Sequence, residues 1–479
     1  MLSSILYISP EILLFLGIFN LLILRILKEE SPKKYATVSR IWLILSMLFS
    51  IIFYDKSYSN LYFQNNAYTL VFKLLIGAFC YLMLGVSSLW FSSENRTGCR
   101  YYVLILISVI LMNTLISSIN ISSLYASYLL LILTNYRLLT TNYDKIPQGI
   151  ASRYIFVSGL IISIFSVGYY ILYKELGMNT LFSSVNELYS NPENKGNIEL
   201  FISAIAIIIP FLYSIGVVPF HIISEEKSGK SILPVAHYFS VILPLIYWAT
   251  FIKLNIVVLS SYSYAISSAY ITFAIISLFF GAIGANSRIN LHRIFAYSSI
   301  FHYGLILMLI ALFQKNAYFS GVIYLLAYII NLNGIYLMFY SLKSHGEYLS
   351  STVSLSGLAQ TRPYATNILL ISLFSFIGFP PLVGFLGQFN LISELVNIKA
   401  YISIGIIFLC FIFLARAYFE LIKIAYFEPK IKNYDTENKS LLVCILLNIV
   451  LIMIITFNPY GLITTIQDMF NVIFAPTIR

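Results

Sequence analysis

Long apolar runs, each bounded by a short polar or charged segment, fill almost the whole chain. A helix that crosses a bilayer needs about 20 consecutive apolar residues. The pattern predicts fourteen such spans, at 10–26, 38–54, 67–91, 101–117, 121–140, 151–173, 199–217, 231–252, 264–284, 293–313, 316–342, 365–398, 401–424 and 440–458. A last stretch, 461–475, carries Gly461 and two threonines and is predicted to lie at the membrane interface. Two runs are interrupted in similar ways. One passes from Ile207–Ile208–Ile209–Pro210 to Val217–Val218–Pro219–Phe220–His221. The other passes from Phe376–Ile377–Gly378–Phe379–Pro380–Pro381 to Gly384–Phe385–Leu386–Gly387–Gln388–Phe389. Within hydrocarbon, unwound backbone is tolerated only where it packs on protein or lines a cavity. Paired interruptions in two halves of a membrane chain point to a transport path near the midplane. The pattern therefore predicts the architecture of an ion-translocating protein.

Composition removes the soluble alternatives. Of 479 residues, 59% are hydrophobic and 10% charged, against about 25% charged in a soluble domain. The longest polar connections, 174–198 and 425–439, are too short to fold alone, so residues 1–479 read as one membrane domain. A net charge of +10 would raise nucleic-acid binding in a soluble protein. Here 20 of the 29 lysines and arginines follow odd-numbered spans. That bias is the positive-inside pattern. It places those loops on the matrix or cytoplasmic side and both termini on the opposite side, and it predicts no nucleic-acid partner. Cys80, Cys99, Cys410 and Cys444 lack metal-ligand spacing and read as buried thiols. No phosphate loop, nucleophile elbow or Cys/His cluster is present, so no cofactor, metal or redox site is predicted on this chain. The 38 tyrosines and 37 phenylalanines fit an AT-rich genome, as many organellar genomes are.

Several stretches carry a family resemblance. They are Pro10–Glu11; Phe72–Lys73–Leu74–Leu75; Ser152–Arg153–Tyr154–Ile155–Phe156 with Gly159; and Val218–Pro219–Phe220–His221. The most recognisable run is Asn290–Leu291–His292–Arg293–Ile294–Phe295–Ala296–Tyr297–Ser298–Ser299–Ile300–Phe301–His302–Tyr303–Gly304, and Gly378–Phe379–Pro380–Pro381 through Gly384–Phe385 follows it. In this order and spacing they resemble the antiporter-like subunit 2 family of NADH:ubiquinone oxidoreductase (complex I), mitochondrial or bacterial. The resemblance implies an all-α polytopic membrane protein with two inverted five-helix repeats, helices 4–8 and 9–13, each with one broken helix. The chain would then divide into N-terminal helices 1–3 (1–100), a first repeat (101–252, break near 210–219), a second repeat (264–424, break near 378–384) and a C-terminal helix with an interfacial tail (425–479). It implies the mitochondrial inner membrane, with both termini on the intermembrane-space side. Partners would be other membrane-arm subunits, including antiporter-like and small hydrophobic ones, and lipids such as cardiolipin. NADH, FMN, iron–sulfur clusters and ubiquinone would belong to partner subunits, this chain being a non-redox part of a proton-translocating enzyme.

The family moves protons through a Glu in helix 5 and lysines in helices 7, 8 and 12. Intramembrane charges are expensive and usually functional. Matched residue by residue, these positions hold Leu129, Ser214, Pro244 and Gln388. Ser214 and Gln388 can hydrogen-bond water. Leu129 cannot, and Pro244 lacks a donor and kinks its helix. The expectation is a proton channel in shape whose direct pumping is weakened or lost, leaving a scaffold and coupling role. One alternative is pumping by a rerouted path through His237, His302 and water; another is a free-standing cation/proton antiporter subunit. His237 lies two helical turns before Pro244 on the same face and titrates near neutral pH, although a packing histidine is the commoner case. His302 belongs either to a water wire or to a structural polar pair. Lys73 needs a partner, with a neighbouring subunit's carboxylate one possibility. Lys253 reads as a snorkelling lysine, Glu394 as a rim residue or mid-membrane carboxylate, and Arg416 with Glu420 as an i,i+4 ion pair.

Overall fold

The computed structural model describes residues 8–54, 62–140, 148–177, 180–194, 197–431, 433–436 and 438–474. Helix follows helix: α1 (Ser9–Ile26), α2 (Pro32–Ile52), α3 (Ala67–Ser93), α4 (Cys99–Ser117), α5 (Ile121–Thr140), α6 (Gln148–Leu176), α7 (Ile198–Ile215), α8 (Leu233–Val257), α9 (Ser263–Asn286), α10 (Leu291–Ile310), α11 (Lys315–Phe339), α12 (Pro363–Ile377), α13 (Val383–Asn397), α14 (Tyr401–Phe427), α15 (Lys439–Phe457) and α16 (Pro459–Phe474). Among the described residues, 12 helices are long and apolar enough to cross a membrane. The 20-residue α5 is long enough too, but Ser, Tyr, Asn and Arg dilute its apolar character. The interrupted span is two 15-residue halves, α12 and α13. All fourteen predicted spans are therefore helical. The predicted interfacial tail is also a helix, α16, with Ile466, Met469 and Phe470 buried on one side.

The chain packs into two compact units. The first takes in the chain up to Ile215, Ile246–Ile266 and the chain from Asp468. Within it α1 packs on α2 and α4, α2 on α3, α5 on α4 and α6, and α6 on α7. Helix α3 starts with a reciprocal cap. The Asn66 side chain accepts from the Thr69 N–H at 2.9 Å, and the Thr69 hydroxyl oxygen accepts from the Asn66 N–H at 2.9 Å. Two first-turn donors are thereby satisfied in a buried place where water cannot serve them.

The second unit comprises Gly216–Leu245 and Ser267–Gln467. Its central element is α11, whose apolar window is buried throughout. Helices α10, α12, α13 and α15 pack against it. A helix apolar all round is a core element, and α11 positions the polar groups described below.

The two interruptions share a geometry. Helix α7 runs through Pro210 and ends at Ile215, so the first break is narrower than expected: it begins at Gly216 and the helix His221–Lys230 follows it. Gly216 has φ +87° and Gly378 has φ +86°, a left-handed conformation that glycine adopts without a Cβ penalty. Three residues beyond each glycine stands a proline after a cis bond, Val218–Pro219 and Pro380–Pro381. Side chains stitch the opened backbone. The Val218 N–H donates to Ser277 Oγ at 3.0 Å. The Gly384 N–H donates to Ser375 Oγ at 3.0 Å, and Gln388 Nε2 donates to the Phe376 carbonyl at 2.8 Å. Pro244 also acts on its helix. It cannot donate to the carbonyl four residues back, and the turn before it, Tyr238–Ile242, widens to a π turn in which the Leu243 N–H reaches the Tyr238 carbonyl.

The cap on α3 yields a direct prediction. Asn66→Ala removes the acceptor for the Thr69 N–H and lowers the stability of the purified protein by about 1 kcal/mol in chemical unfolding, while Asn66→Asp retains most of it.

Candidate functional site

In the first unit, two of the four positions matched to the family's ionisable residues, Leu129 and Ser214, lie on α5 and α7. Leu129 is half-buried and offers no polar group. Ser214 is buried and hydrogen-bonds Tyr128, the residue beside Leu129, at 2.8 Å between hydroxyl oxygens. The Tyr128 hydroxyl also donates to the Pro210 carbonyl at 2.9 Å. A phenol carries one proton, so the Ser214 hydroxyl is the donor to Tyr128. The resulting chain, Ser214 to Tyr128 to the Pro210 carbonyl, ends at a peptide oxygen that accepts a proton bond and has none to pass on. Tyr128 was not singled out from the sequence, because one tyrosine among 38 carries no local signal.

Both lysines of this unit that the sequence singled out have structural partners. Lys73 Nζ meets Glu11 Oε1 at 2.8 Å and Asn65 Oδ1 at 3.1 Å. Its counter-charge therefore lies on this chain, which corrects the expectation of a carboxylate from a neighbouring subunit. The side chains are 5% and 12% exposed, so this is a buried pair that depends on both members. Lys253 is buried rather than snorkelling. Its Nζ donates to the carbonyls of Ile116 and Ser118, each at 2.7 Å, and so caps the C-terminal end of α4. A cation there complements the helix dipole.

The second unit holds a different arrangement. His302 on α10 is bonded at both ring nitrogens: Nδ1 to the Tyr324 hydroxyl at 2.7 Å and Nε2 to the Tyr418 hydroxyl at 3.1 Å. Tyr418 continues through a short hydrogen bond to Ser298. Tyr324, His302, Tyr418 and Ser298 thus form an unbroken chain of groups that can each donate and accept. Nearby, Ser299 pairs with Tyr328 at 2.7 Å, and Asn331 donates to Ser375 at the second break at 2.9 Å. Gln388, matched to another of the family's ionisable positions, donates from Nε2 to the Phe376 carbonyl and also hydrogen-bonds Tyr324, the first member of the His302 chain.

His237 lies at the start of α8, with Nε2 3.0 Å from Asn333 Oδ1 and its ring stacked on Tyr336 at 5.2 Å. Tyr336 in turn bonds Ser240 at 2.6 Å. The π turn before Pro244, the fourth replaced position, includes Ser240. His237 Nδ1, His292 Nδ1, Asn333 Nδ2 and Asn331 Oδ1 are buried without a protein hydrogen-bond partner. Buried polar atoms of this kind are normally met by water.

Other charges fall into place as follows. Glu225 pairs with Arg293 at 3.2 Å, and Glu226 with Lys230 at 2.8 Å. With Lys227 these carboxylates are buried in the helix His221–Lys230. Residues 221–230 fall between two predicted spans, where no local pattern signals this cluster. Glu394 is half-buried in the last turn of α13. Arg416 and Glu420 do not form the expected ion pair, and both are exposed on α14.

The family follows from comparison. The family model described as NADH:quinone oxidoreductase/Mrp antiporter, TM, matches residues 118–414. The chain belongs to this family. It is 26% identical to the NADH-quinone oxidoreductase subunit N of Pelagibacter ubique over 441 residues, covering 90% of this chain and 92% of the relative. The corresponding subunit of Bartonella bacilliformis is 24% identical over 473 residues and 95% of each chain. Among solved structures, a chain of respiratory complex I from Thermus thermophilus superposes with a TM-score of 0.79 at 17% identity, covering 95% of this chain and 98% of that one. A chain of the Mrp complex from Dietzia gives 0.83 at 15% identity, covering 100% and 98%. At such identities the structures establish the shared antiporter-like fold. The groups that close the two breaks, Ser277, Ser375 and Gln388, are uncharged.

The Lys73–Glu11 pair allows a double-mutant test. Glu11→Gln alone leaves a buried ammonium without its counter-charge and costs about 3–5 kcal/mol in thermal or chemical unfolding. Adding Lys73→Met recovers most of that loss, because both charges are then gone.

Proposed function

We propose that this chain is the antiporter-like membrane-arm subunit of an NADH:quinone oxidoreductase, with direct proton pumping through the chain weakened or lost and a role in scaffolding and lateral coupling. The observation that carries the second half is the fate of the four ionisable positions. Leu129 and Pro244 offer no side-chain donor or acceptor. Ser214 serves the backbone, through Tyr128 to the Pro210 carbonyl, and Gln388 donates to the Phe376 carbonyl while also meeting Tyr324. Lys73 and Lys253, the titratable groups that could stand in within the first unit, are held by Glu11 and by two carbonyls.

The full-length likeness to NADH-quinone oxidoreductase subunit N supports the assembly. Its partners would be the other membrane-arm subunits and anionic lipids, with NADH, flavin, iron–sulfur clusters and quinone bound by those partners. The tyrosine- and phenylalanine-rich composition supports a mitochondrial inner membrane, and the basic loops support termini facing the intermembrane space. Two inverted repeats are supported by the matching Gly-x-x-Pro geometry of the breaks.

A second reading, pumping by a rerouted path, draws on one specific observation: the chain Tyr324–His302–Tyr418–Ser298 is able to relay protons.

Proton counting separates the two. In the intact enzyme reconstituted into vesicles, protons moved per electron pair should be fewer than in an enzyme carrying Glu and three Lys at the four positions. His302→Phe should leave that ratio unchanged. An equal ratio in the native enzyme, reduced by His302→Phe, would establish the rerouted path instead.

A further inference from the structure

Helix α14 lies wholly within the second unit and turns one face outward. Gly405, Phe408, Ile412, Arg416, Phe419 and Glu420 are exposed, and their spacing of three and four residues makes one stripe. Leu414, Tyr418 and Leu421 are buried on the other side. Most of the stripe is apolar and suits hydrocarbon. Arg416 and Glu420 do not.

Their depth follows from helix geometry. The 27 residues of α14 make a helix about 40 Å long, against about 30 Å of hydrocarbon. Centred in that layer, the helix places Arg416, its sixteenth residue, about 3 Å from the midplane and Glu420 about 9 Å from it. Tyr418, between them, gives the same level: its hydroxyl meets His302, the twelfth of the 20 residues of α10. A helical side chain leans toward the N-terminal end of its helix, here away from the nearer end at Phe427. The nearer hydrocarbon edge is then about 12 Å from Arg416, beyond the reach of its side chain.

Neither charge is answered on this chain. The two stand one turn apart, yet neither has an ion pair or a side-chain hydrogen bond among the described residues. Ionisable groups at membrane depth are costly and almost always pair within protein or face a water-filled cavity. An acyl chain offers no counter-charge, and a lipid headgroup stays at the membrane surface.

We propose that the outward face of α14 is a docking site for a transmembrane helix of another subunit, one that sets a carboxylate opposite Arg416 and a hydrogen-bond donor or cation opposite Glu420. Toward the Tyr401 end, nothing lies within 4 Å of where a Cβ on Gly405 would be, so a partner backbone can come close there. A second copy of this chain fits less well. Packed face to face about a two-fold axis, it would set Arg416 level with Arg416 and Glu420 level with Glu420, and like charges repel strongly at low dielectric. The proposal rests on the membrane-arm reading and deepens it by naming the chemistry of one contact.

The test uses the full chain in its purified native assembly. A photo-reactive benzoyl-phenylalanine in place of Ile412 leaves both charges untouched. It should cross-link to another membrane subunit, at a helix that carries an Asp or Glu at membrane depth. Arg416→Gln should weaken retention of that subunit on detergent dilution by about thirtyfold or more, and Arg416→Lys by less. The thermal midpoint of the variant chain itself should not move, because Arg416 is exposed and bonds nothing within it. Cross-links confined to lipid, with Arg416→Gln holding every subunit as firmly as the wild type, would overturn the docking site. The membrane-arm reading would survive that result, since the respiratory subunits would still co-purify. A charge-dependent adduct with a second copy of this chain would overturn the choice of partner.

Discussion

In hydrocarbon, no backbone N–H or C=O can turn to solvent. A helix broken within the membrane must therefore be closed by side chains, by water or by packing. This constraint organises the molecule. At the second break, Ser375 meets the Gly384 N–H and Gln388 meets the Phe376 carbonyl. At the first, Ser277 meets the Val218 N–H. Near the end of α7, Tyr128 takes up the Pro210 carbonyl. The interrupted geometry of the family is retained, and uncharged groups hold it closed.

Under the proposed function, the same constraint bears on proton transfer at Leu129, Ser214, Pro244 and Gln388. A relay needs groups that donate and accept in turn, or a charge free to change its protonation state. The Ser214–Tyr128 pair ends on a peptide carbonyl, which only accepts, and Gln388 donates to another while also meeting Tyr324. Lys253 ends on two more. His302 sits among partners that can all reverse direction, and that chain lies in the second unit. Lys73 is a real intramembrane charge, but its partner Glu11 lies 62 residues earlier in sequence and neutralises it.

The spans and the two breaks were legible in the sequence, since each rests on local periodicity or on Gly and Pro. Helix ends fell within a few residues for the same reason. The partners were not legible. Tyr128 and Ser214 stand 86 residues apart, and His302 and Tyr418 stand 116 apart. No local pattern singles out such pairs when tyrosine is this abundant. The expectation for Lys253 failed because proximity to a helix end reads as an interface, whereas packing buried it against α4. Pro210 was taken as part of the break because proline ends most helices. Here α7 continues through it. The widened turn before Pro244 was foreseen only as a kink.

The account stands on the claim that neutral groups now close the places where mobile charges would sit. Ordered water in a high-resolution map of the native assembly tests it most directly. The account predicts direct contact from Ser214 through Tyr128 to the Pro210 carbonyl and from Gln388 to the Phe376 carbonyl, no water beside Leu129, and water confined to the unpartnered atoms of His237, His292, Asn331 and Asn333. A continuous file of water running past Ser214 and Gln388 would contradict it.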